Sequence, residues 1–301
     1  MKLLVCDPVD PKAIAAMREA GIDVDINDDV TAEELKEIIP EYHAMVVRSR
    51  TTAREPLIDQ ATNLKAIIRA GVGLDNIDVE YAESKGVEVR NTPAASSNAV
   101  AELTIGYLFA LARPIVQATN SMKEGKWEKK QLTGTELAGR TLGLIGFGRI
   151  GSLVGSKANS LGMEVLFYRR TDVEVDFATQ VSLDEVLERS DYISLHLPHT
   201  PATHYIIDAD ALAKTKDGVR IVNCARGGTV DEGALYEAIK NGKVAGAALD
   251  VFEDEKEDRG RKLMELPEVI GSPHIGAGTV EAKDRVGQET ARIAIEIAER
   301  S

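Results

Sequence analysis

The sequence predicts an α/β fold in which two doubly wound parallel sheets form separate domains. In both halves of the chain, short apolar β-type runs alternate with segments of helical periodicity, a pattern typical of parallel sheets covered by helices on both faces. A glycine-rich turn near the middle joins one such run to a helical segment. The length of 301 residues is sufficient for two hydrophobic cores.

The first half contains predicted strands at residues 2–6, 44–47, 65–68 and 87–89. Helical periodicity lies between them, as over residues 11–20, where Gly21 closes the helix. Thr31 followed by Glu34 is typical of a capping box, so we expect a helix to begin there. After Pro93 the pattern changes to a long apolar helical stretch, residues 96–121, which Pro114 interrupts.

The second half repeats the alternation. We expect strands at the run that begins at Thr141 and at residues 163–168, 191–197, 219–224, 244–249 and 269–270, with a second capping box at Ser182 and Glu185. The last helix, residues 279–301, has no strand after it, and we expect it to pack on the first domain. The predicted domains are residues 1–94 with 279–301, a flavodoxin-like substrate domain, and residues 95–278, a Rossmann-type nucleotide domain.

Three glycines carry the most specific signal of the sequence. Gly146, Gly148 and Gly151 have the spacing G-x-G-x-x-G between a β-run and a helical segment, residues 152–161. The first glycine allows a sharp turn, the second lets a pyrophosphate approach the backbone, and the third lets helix and strand pack closely. The N–H groups at the helix start then face the phosphates, so the motif predicts a dinucleotide site.

The residues after the next strand leave the choice of dinucleotide open. A site for NAD usually has Asp or Glu about 20 residues beyond the glycines, where it binds the ribose hydroxyls. This strand ends in Arg169 and Arg170 instead. Two arginines there suit the 2′-phosphate of NADP, or they form a solvated strand end.

Composition excludes several classes of protein. The net charge of −13 argues against nucleic acid as a main partner, because phosphate-backbone binding needs a basic face. Cys6 and Cys224 are the only cysteines and lie inside β-type runs, so we expect no disulfide framework, no metal and a cytoplasmic location. The longest apolar run, residues 99–112, is shorter than the roughly 20 residues of a membrane span, and we expect no signal peptide or membrane partner.

Three polar residues at or just after strand ends are candidates for catalysis. In open parallel sheets, ligands bind at the carboxyl ends of the strands. There His274 offers a base near neutrality, Glu255 a carboxylate to orient it, and Arg226 a planar donor pair for a carboxylate or a developing carbonyl. Together they suit hydride transfer between a nicotinamide and a hydroxyl-bearing carbon.

The sequence resembles the D-2-hydroxyacid dehydrogenase family over essentially its whole length. The resemblance lies in residues 69–78, 146–151, 222–228, 248–252 and 273–277, a highly specific combination. Residues 47–51 and 123–128 are similar to the branch of the family that oxidises D-3-phosphoglycerate at the start of serine biosynthesis.

The resemblance implies roles for particular residues. In this family, the arginine at position 226 binds substrate and the histidine at position 274 is the acid/base, paired with the glutamate at position 255. The resemblance places the backbone N–H groups of Gly71, Val72 and Gly73 on the substrate carboxylate. It places Arg48, Arg50 and Arg69 on the substrate phosphate.

The predicted cofactor contacts come from the glycine loop, the strand ends and the matched family motifs. They are Val72, Gly146, Gly148, Arg149, Ile150, Gly151, Arg169, Arg170, Leu197, Pro198, Cys224, Ala225, Arg226, Asp250, His274, Gly276 and Ala277. The sequence departs from the family at Arg169, at Lys256, where proline usually follows the glutamate, and in having no sensing domain after its last helix.

We therefore expect a homodimeric oxidoreductase that uses NAD or NADP and converts D-3-phosphoglycerate to 3-phosphohydroxypyruvate, a phosphorylated hydroxy and keto acid pair. A glyoxylate or hydroxypyruvate reductase is the alternative within the family, and Arg48 and Arg50 are then surface charges. A dinucleotide-sensing binding protein, similar to the corepressors that resemble these dehydrogenases, is the alternative of another class. The helical stretch at residues 96–121 is the expected dimer surface.

Overall fold

The computed structural model describes residues 1–258 and 260–300 and divides the chain into two compact units. The split unit comprises residues 1–96 together with those from Gly278 onward, and the central unit comprises Ser97–Ala277. Each unit contains one sheet whose strand pairs are all parallel in the described residues. The predicted fold class is confirmed.

The split unit contains a sheet of five strands in the order β2-β1-β3-β4-β5. This order reverses direction between β1 and β3, as in flavodoxin-like folds. The strands are β1 Lys2–Val5, β2 Asp23–Ile26, β3 Ala44–Val47, β4 Ala66–Arg69 and β5 Glu88–Asn91. The helices are α1 Pro11–Glu19, α2 Ala32–Ile38, α3 Glu55–Ile58, α4 Val79–Ser84 and α12 Val280–Arg300, with a 3-10 turn at Ile39–Glu41.

Both faces of this sheet are buried, which explains its continuous apolar strands. Leu4 and Met45 belong to the core on one face, and Leu3 and Val46 belong to the core on the other. Helix α12 completes the second core and packs on α1.

The central unit contains a sheet of seven strands in the order β12-β11-β10-β9-β6-β7-β8. The strands are β6 Thr141–Ile145, β7 Glu164–Tyr168, β8 Thr179–Gln180, β9 Tyr192–Leu195, β10 Val219–Asn223, β11 Val244–Leu249 and β12 Val269–Gly271. The helices are α5 Ser97–Ala112, α6 Ile115–Lys123, α7 Arg149–Ser160, α8 Leu183–Arg189, α9 Ala209–Lys214, α10 Glu232–Lys240 and α11 Arg261–Met264. The sheet order reverses at β6, so the glycine loop lies at the switch point of the sheet.

Helix starts follow local chemistry. Both predicted capping boxes form: the Glu34 backbone N–H donates to Thr31 Oγ1, and Glu185 and Ser182 are paired in the same way. Helix α7 begins at Arg149, three residues before the predicted start, because the turn ends at Gly148 and the helix follows at once. In the described residues, no single helix is long and apolar enough to cross a membrane; α5 and α6 reach that length only as a pair bent by 66°.

Two strands of the structure were not predicted, β2 and β8. Strand β2 alternates Asp23 and Asp25 with apolar residues and lies at the edge of its sheet. Strand β8 has two residues and is also at an edge. Because edge strands are short and often polar, they lack the apolar run that marks a central strand.

Candidate functional site

The glycine loop of the central unit has the shape that a dinucleotide requires. Gly146 has a φ of 96°, and a Cβ there would lie 2.4 Å from the backbone oxygen of His196. A Cβ at Gly151 would lie 2.3 Å from the oxygen of Gly146, so the helix can approach the strand only without one. At Gly148 a Cβ would meet nothing within 4 Å, which leaves open space above the loop.

The start of α7 is open to an anion. Gly148 is its N-cap residue and no side chain caps the helix. The N–H groups of the first turn, which includes Ile150, are therefore available to phosphate oxygens, and the helix dipole favours negative charge there. The residues present fit a pyrophosphate.

Arg169 follows β7 and lies against the same loop. Its guanidinium donates from Nη1 to the Phe147 oxygen at 3.3 Å and from Nη2 to Thr171 Oγ1 at 2.7 Å. Phe147 lies between two of the loop glycines. The half-buried Arg169 thus presents its charge beside the glycine loop, whereas the neighbouring Arg170 is exposed.

His196, at the end of β9, supports the loop. Burial lowers the pKa of its imidazole to about 3, so the ring is neutral, and Nε2 lies 2.9 Å from Ser194 Oγ. Its backbone oxygen and the Leu197 side chain lie directly below Gly146. Leu197 and Pro198 therefore begin the loop beside the predicted pyrophosphate site.

The structure brings two of the predicted catalytic side chains into direct contact. His274 Nδ1 lies 3.0 Å from Glu255 Oε2, and both side chains are partly exposed. Burial alone would raise the pKa of Glu255, but the hydrogen bond and charge of His274, a backbone N–H and the charge of Arg226 outweigh it, so this pKa lies below its ordinary value. The ionised carboxylate accepts only, so Nδ1 carries the proton and Nε2 remains for chemistry.

Arg226 lies in a loop after β10 that is fixed by its own hydrogen bonds. Asn223 Nδ2 and Thr229 Oγ1 both donate to the Arg226 oxygen, at 2.9 and 2.7 Å. The Arg226 guanidinium donates from Nη1 to the Ala225 oxygen at 2.6 Å. A Cβ at Gly227 would lie 1.9 Å from the Phe252 oxygen, so only glycine allows this loop to lie beside the segment that leads to Glu255.

Cys224 and Ala225, predicted to contact cofactor, are buried at the start of that loop. Burial raises the pKa of the Cys224 thiol to about 12, so it stays a thiol. Its side chain belongs to a buried core of the central unit, and its contact with cofactor stays a prediction. Among the described residues, no group of three or more His, Cys, Asp or Glu side chains could hold a metal ion.

A cavity of about 430 Å³ opens beside these residues in the central unit. Asp250, Phe252, Glu255, Met264, Gly271, Ser272, Pro273 and His274 line it. Its walls are mainly apolar, and the His274 and Glu255 side chains both border it. Space of this size beside an oriented imidazole suits a ring or a small acid.

The split unit holds the predicted carboxylate loop. Gly71 has a φ of 154°, and a Cβ there would lie 1.2 Å from Arg69 Nη1, so the guanidinium of Arg69 lies directly over this glycine. Asn91 Nδ2 donates to the Val72 oxygen at 2.5 Å, and the Thr92 N–H donates to the Gly71 oxygen at 3.0 Å. These bonds fix the loop from Gly71 to Gly73 at the carboxyl end of β4.

The two other predicted phosphate ligands differ in their surroundings. Arg50 Nε donates to Asp7 Oδ1 at 3.0 Å, Nη1 to the Val30 oxygen at 2.8 Å, and Nη2 to the Asp28 oxygen at 2.9 Å and to the Cys6 oxygen. Arg48 donates from Nη1 to the Pro8 oxygen at 3.2 Å. Asp7, which is 1% exposed, also accepts from the Arg48 backbone N–H.

Sequence reasoning missed Asp7, Asn223, Ser272 and Tyr107, which hold these loops. The partners of Asp7, Ser272 and Tyr107 lie far away in the sequence, as Asp7 does from Arg50, whereas Asn223 bonds the nearby Arg226. Tyr107 lies in an apolar helical run, where a tyrosine is indistinguishable from a core residue. The Tyr107 hydroxyl was the feature of the sequence that could have indicated a hydrogen-bonding role.

The chain is similar to proteins of one family. The sequence model described as D-isomer specific 2-hydroxyacid dehydrogenase, NAD binding domain, matches residues 105–276. Hydroxypyruvate reductase of Thermotoga maritima is 50% identical over 289 residues, which cover 95% of this chain and 94% of that protein. The chain belongs to the D-2-hydroxyacid dehydrogenase family.

Other relatives of this D-2-hydroxyacid dehydrogenase are longer. D-3-phosphoglycerate dehydrogenase of Methanocaldococcus jannaschii is 47% identical over 292 residues, which cover 95% of this chain and 55% of that protein. The chain thus spans about half the length of the phosphoglycerate dehydrogenases that it matches, and nearly all of the hydroxypyruvate reductase.

Solved structures with nicotinamide cofactors share the fold. D-lactate dehydrogenase of Aquifex aeolicus, complexed with NAD and lactic acid, has a TM-score of 0.88 and 32% identity over 100% of this chain and 96% of that one. An acyclic imino acid reductase in complex with NADPH and D-Arg has a TM-score of 0.92 and 28% identity over 99% of this chain and 98% of that one. Family and glycine loop together support a nicotinamide cofactor.

Proposed function

We propose that this dehydrogenase reduces a small unphosphorylated 2-oxo acid of the hydroxypyruvate or glyoxylate type to its hydroxy acid, and catalyses the reverse oxidation. The observation that supports an unphosphorylated substrate is the hydrogen bonding of the Arg50 guanidinium. Four hydrogen bonds from its guanidinium go to protein acceptors, of the five N–H groups that an arginine has. One N–H therefore remains for a phosphate, and paired binding of a phosphate by Arg50 would need to displace Asp7 or a backbone oxygen. The long match to a hydroxypyruvate reductase supports the same choice.

The roles of the residues follow from their chemistry. The nicotinamide, when bound, supplies or accepts the hydride. His274 Nε2 gives a proton to the substrate oxygen during reduction and takes it back during oxidation, while Glu255 holds the ring and stabilises its charged form. Arg226 binds the substrate and polarises its carbonyl. The Gly71 to Gly73 loop binds the substrate carboxylate through backbone N–H groups.

A second candidate is the phosphorylated substrate, 3-phosphohydroxypyruvate. A cavity of about 290 Å³ in the split unit is lined by Arg48 and Lys283, together with the residues around Pro8. Within residues 1–258 and 260–300, Lys283 forms no ion pair. Two cations and one carboxylate, that of Asp10, line this cavity, so its net positive charge favours an anion such as a phosphate. The relatives named D-3-phosphoglycerate dehydrogenase are consistent with it.

Steady-state kcat/KM values for hydroxypyruvate and phosphohydroxypyruvate decide between these substrates. The proposal expects hydroxypyruvate to be preferred, and Arg48→Ala to leave the ratio between the two nearly unchanged. A preference for phosphohydroxypyruvate that Arg48→Ala and Lys283→Ala both abolish would establish the second candidate. Absence of turnover with either acid and either cofactor would favour the dinucleotide-sensing binding protein.

We further propose that NADP(H) is accepted alongside NAD(H). Arg169 lies against the glycine loop, where its positive charge suits a ribose 2′-phosphate, and Thr171 adds a hydroxyl. Asp172 follows closely and is exposed, so it remains available to the ribose hydroxyls of NAD. The measurement is kcat/KM for each cofactor.

We also propose that the chain forms a homodimer through α5 and α6. Five large apolar side chains are exposed along this part of the chain: Phe109, Ile115, Val116, Met122 and Trp127, the last 79% exposed. The segment around α6 carries both positive and negative side chains, and Lys126 Nζ lies 2.6 Å from Glu124 Oε2. Two copies can therefore meet there without repulsion between like charges. Light scattering on the wild type and on Met122→Lys tests it: a dimer that becomes a monomer supports it, and a monomeric wild type contradicts it.

A further inference from the structure

A chain of hydrogen bonds, buried at both ends and partly exposed at Ser272, connects α5 to the loop that carries His274. The Tyr107 hydroxyl bonds Ser272 Oγ, and Ser272 Oγ bonds Asp250 Oδ1. Tyr107 is 6% exposed and Asp250 is 1% exposed. All four residues belong to the central unit. The hydrogen-bond chain therefore lies within one compact unit. It ends at Asp250, which bonds the backbone next to His274.

The direction of these bonds follows from counting protons. An ionised carboxylate only accepts, so the single hydroxyl proton of Ser272 goes to Asp250. Tyr107 must then donate to Ser272. Burial, the largest effect, raises the pKa of Tyr107 to about 12, so the phenol keeps its proton throughout the neutral range. Tyr107 thus donates to Ser272, and Ser272 donates to Asp250.

Asp250 uses its remaining capacity to shape the His274 loop. Its Oδ1 accepts from the Ile275 backbone N–H at 2.8 Å, its Oδ2 from that of Gly276 at 2.7 Å, and its backbone oxygen from that of His274 at 2.9 Å. His274 has a φ of 54°, in the left-handed region that non-glycine residues rarely adopt. Without such bonds, the backbone would relax away from this conformation.

We propose that Tyr107 is a positioning residue for catalysis, acting through Ser272 and Asp250 to hold His274 in its left-handed conformation. The proposal rests on the acid/base role of His274 proposed above. The Tyr107 hydroxyl fixes the Ser272 hydroxyl, which would otherwise rotate away from Asp250. If the Asp250 carboxylate loses its bond from Ser272, it also holds the backbone of residues 274–276 less firmly. Small displacements of a catalytic group lower the reaction rate.

Tyr107→Phe tests the first link, since it removes one oxygen and keeps the ring. We expect kcat to fall roughly three- to tenfold, the effect of one hydrogen bond, with KM for substrate and cofactor nearly unchanged. Tyr192→Phe is the matched control. Tyr192 is buried in the central unit, as Tyr107 is, and its hydroxyl has no hydrogen-bond partner in the described part of the chain. Its loss should leave kcat as it is.

Ser272 tests the connection itself. Ser272→Ala should lower kcat by at least as much as Tyr107→Phe, and Ser272→Thr should restore it, because threonine keeps the hydroxyl and its methyl can enter the cavity that Ser272 lines. In the Ser272→Ala background, Tyr107→Phe should have almost no further effect, since the tyrosine then has nothing to act through.

The outcomes separate this proposal from the one that it rests on. A strong loss in His274→Ala, combined with a silent Tyr107→Phe or with losses that multiply in the double variant, overturns the positioning role alone. A small effect of His274→Ala overturns the assignment of the acid/base. A fall in Tm for Tyr107→Phe with unchanged kcat means that Tyr107 serves the fold and not the loop, which also overturns the proposal.

Discussion

His274 Nδ1 lies 3.0 Å from Glu255 Oε2, although 19 positions separate these residues in the sequence. They meet because each lies in the segment that follows one of two paired parallel strands, β11 and β12. The carboxyl ends of parallel strands share one edge of the sheet, so their following segments converge there. This contact fixes which ring nitrogen carries a proton and which is left for substrate.

Glu255→Gln should lower kcat, because the amide can no longer stabilise the charged imidazole. The loss should be smaller than that of removing His274 itself, since the ring and its Nε2 remain. Steady-state kinetics with Glu257→Gln as the control measure it, because Glu257 is exposed in the same loop. Equal kcat values for Glu255→Gln and wild type would exclude the pairing as a catalytic feature.

The lowered pKa of Glu255 predicts a pH dependence of stability. A group with a lowered pKa in the folded state stabilises the fold fully above its unfolded pKa, about 4.3 for glutamate. This contribution is lost as the pH falls through the lower folded value. The difference in unfolding free energy between wild type and Glu255→Gln should therefore shrink as the pH falls below about 4.3. A difference that stays the same or grows below that pH contradicts it.

The sequence indicated which residues lie in the site loops, but it did not indicate the contacts that hold these loops in place. The three glycines and the strand-end residues His274, Glu255 and Arg226 carry local signals, because their residue types are needed at one point of the chain. The contacts that hold them are long-range: Asp7 contacts Arg50 across 43 positions, and Tyr107 contacts Ser272 across 165. Such pairs become visible only when the strands are placed side by side.

Arg50 was predicted as a phosphate ligand from its position in the run Val47 to Thr51, and this stays a prediction. The sequence could not reveal that its guanidinium is hydrogen-bonded to Asp7, which lies 43 positions away. Edge strands β2 and β8 were missed for a different reason. Polar residues make up half of β2 and all of β8, so the apolar runs that marked the central strands are absent.

Arg169→Asp should shift cofactor preference towards NAD(H). It removes a positive charge beside the glycine loop and adds a carboxylate that repels a 2′-phosphate. We expect the ratio of kcat/KM for NADPH to that for NADH to fall at least about tenfold, or 1.4 kcal/mol. Arg170→Asp is the matched control, since Arg170 is exposed and should shift the ratio less. Equal shifts would mean that long-range charge alone is responsible.

Asp7→Asn should destabilise the fold by about 1–3 kcal/mol, because a buried acceptor of the Arg50 and Thr51 side chains loses its charge and part of its capacity. Asp29→Asn is the control, since Asp29 is exposed in the same unit. Urea unfolding measures both variants. No difference between them would mean that the Asp7 network contributes nothing to stability.

The most direct measurement of the proposed acid/base role is kcat for hydroxypyruvate reduction by wild type and His274→Ala, with NADH and with NADPH. We expect turnover by the wild type and a loss of about 10²–10⁴-fold in the variant, with cofactor affinity retained, because the variant lacks only the proton donor. A His274→Ala enzyme that keeps most of the wild-type kcat would contradict this role.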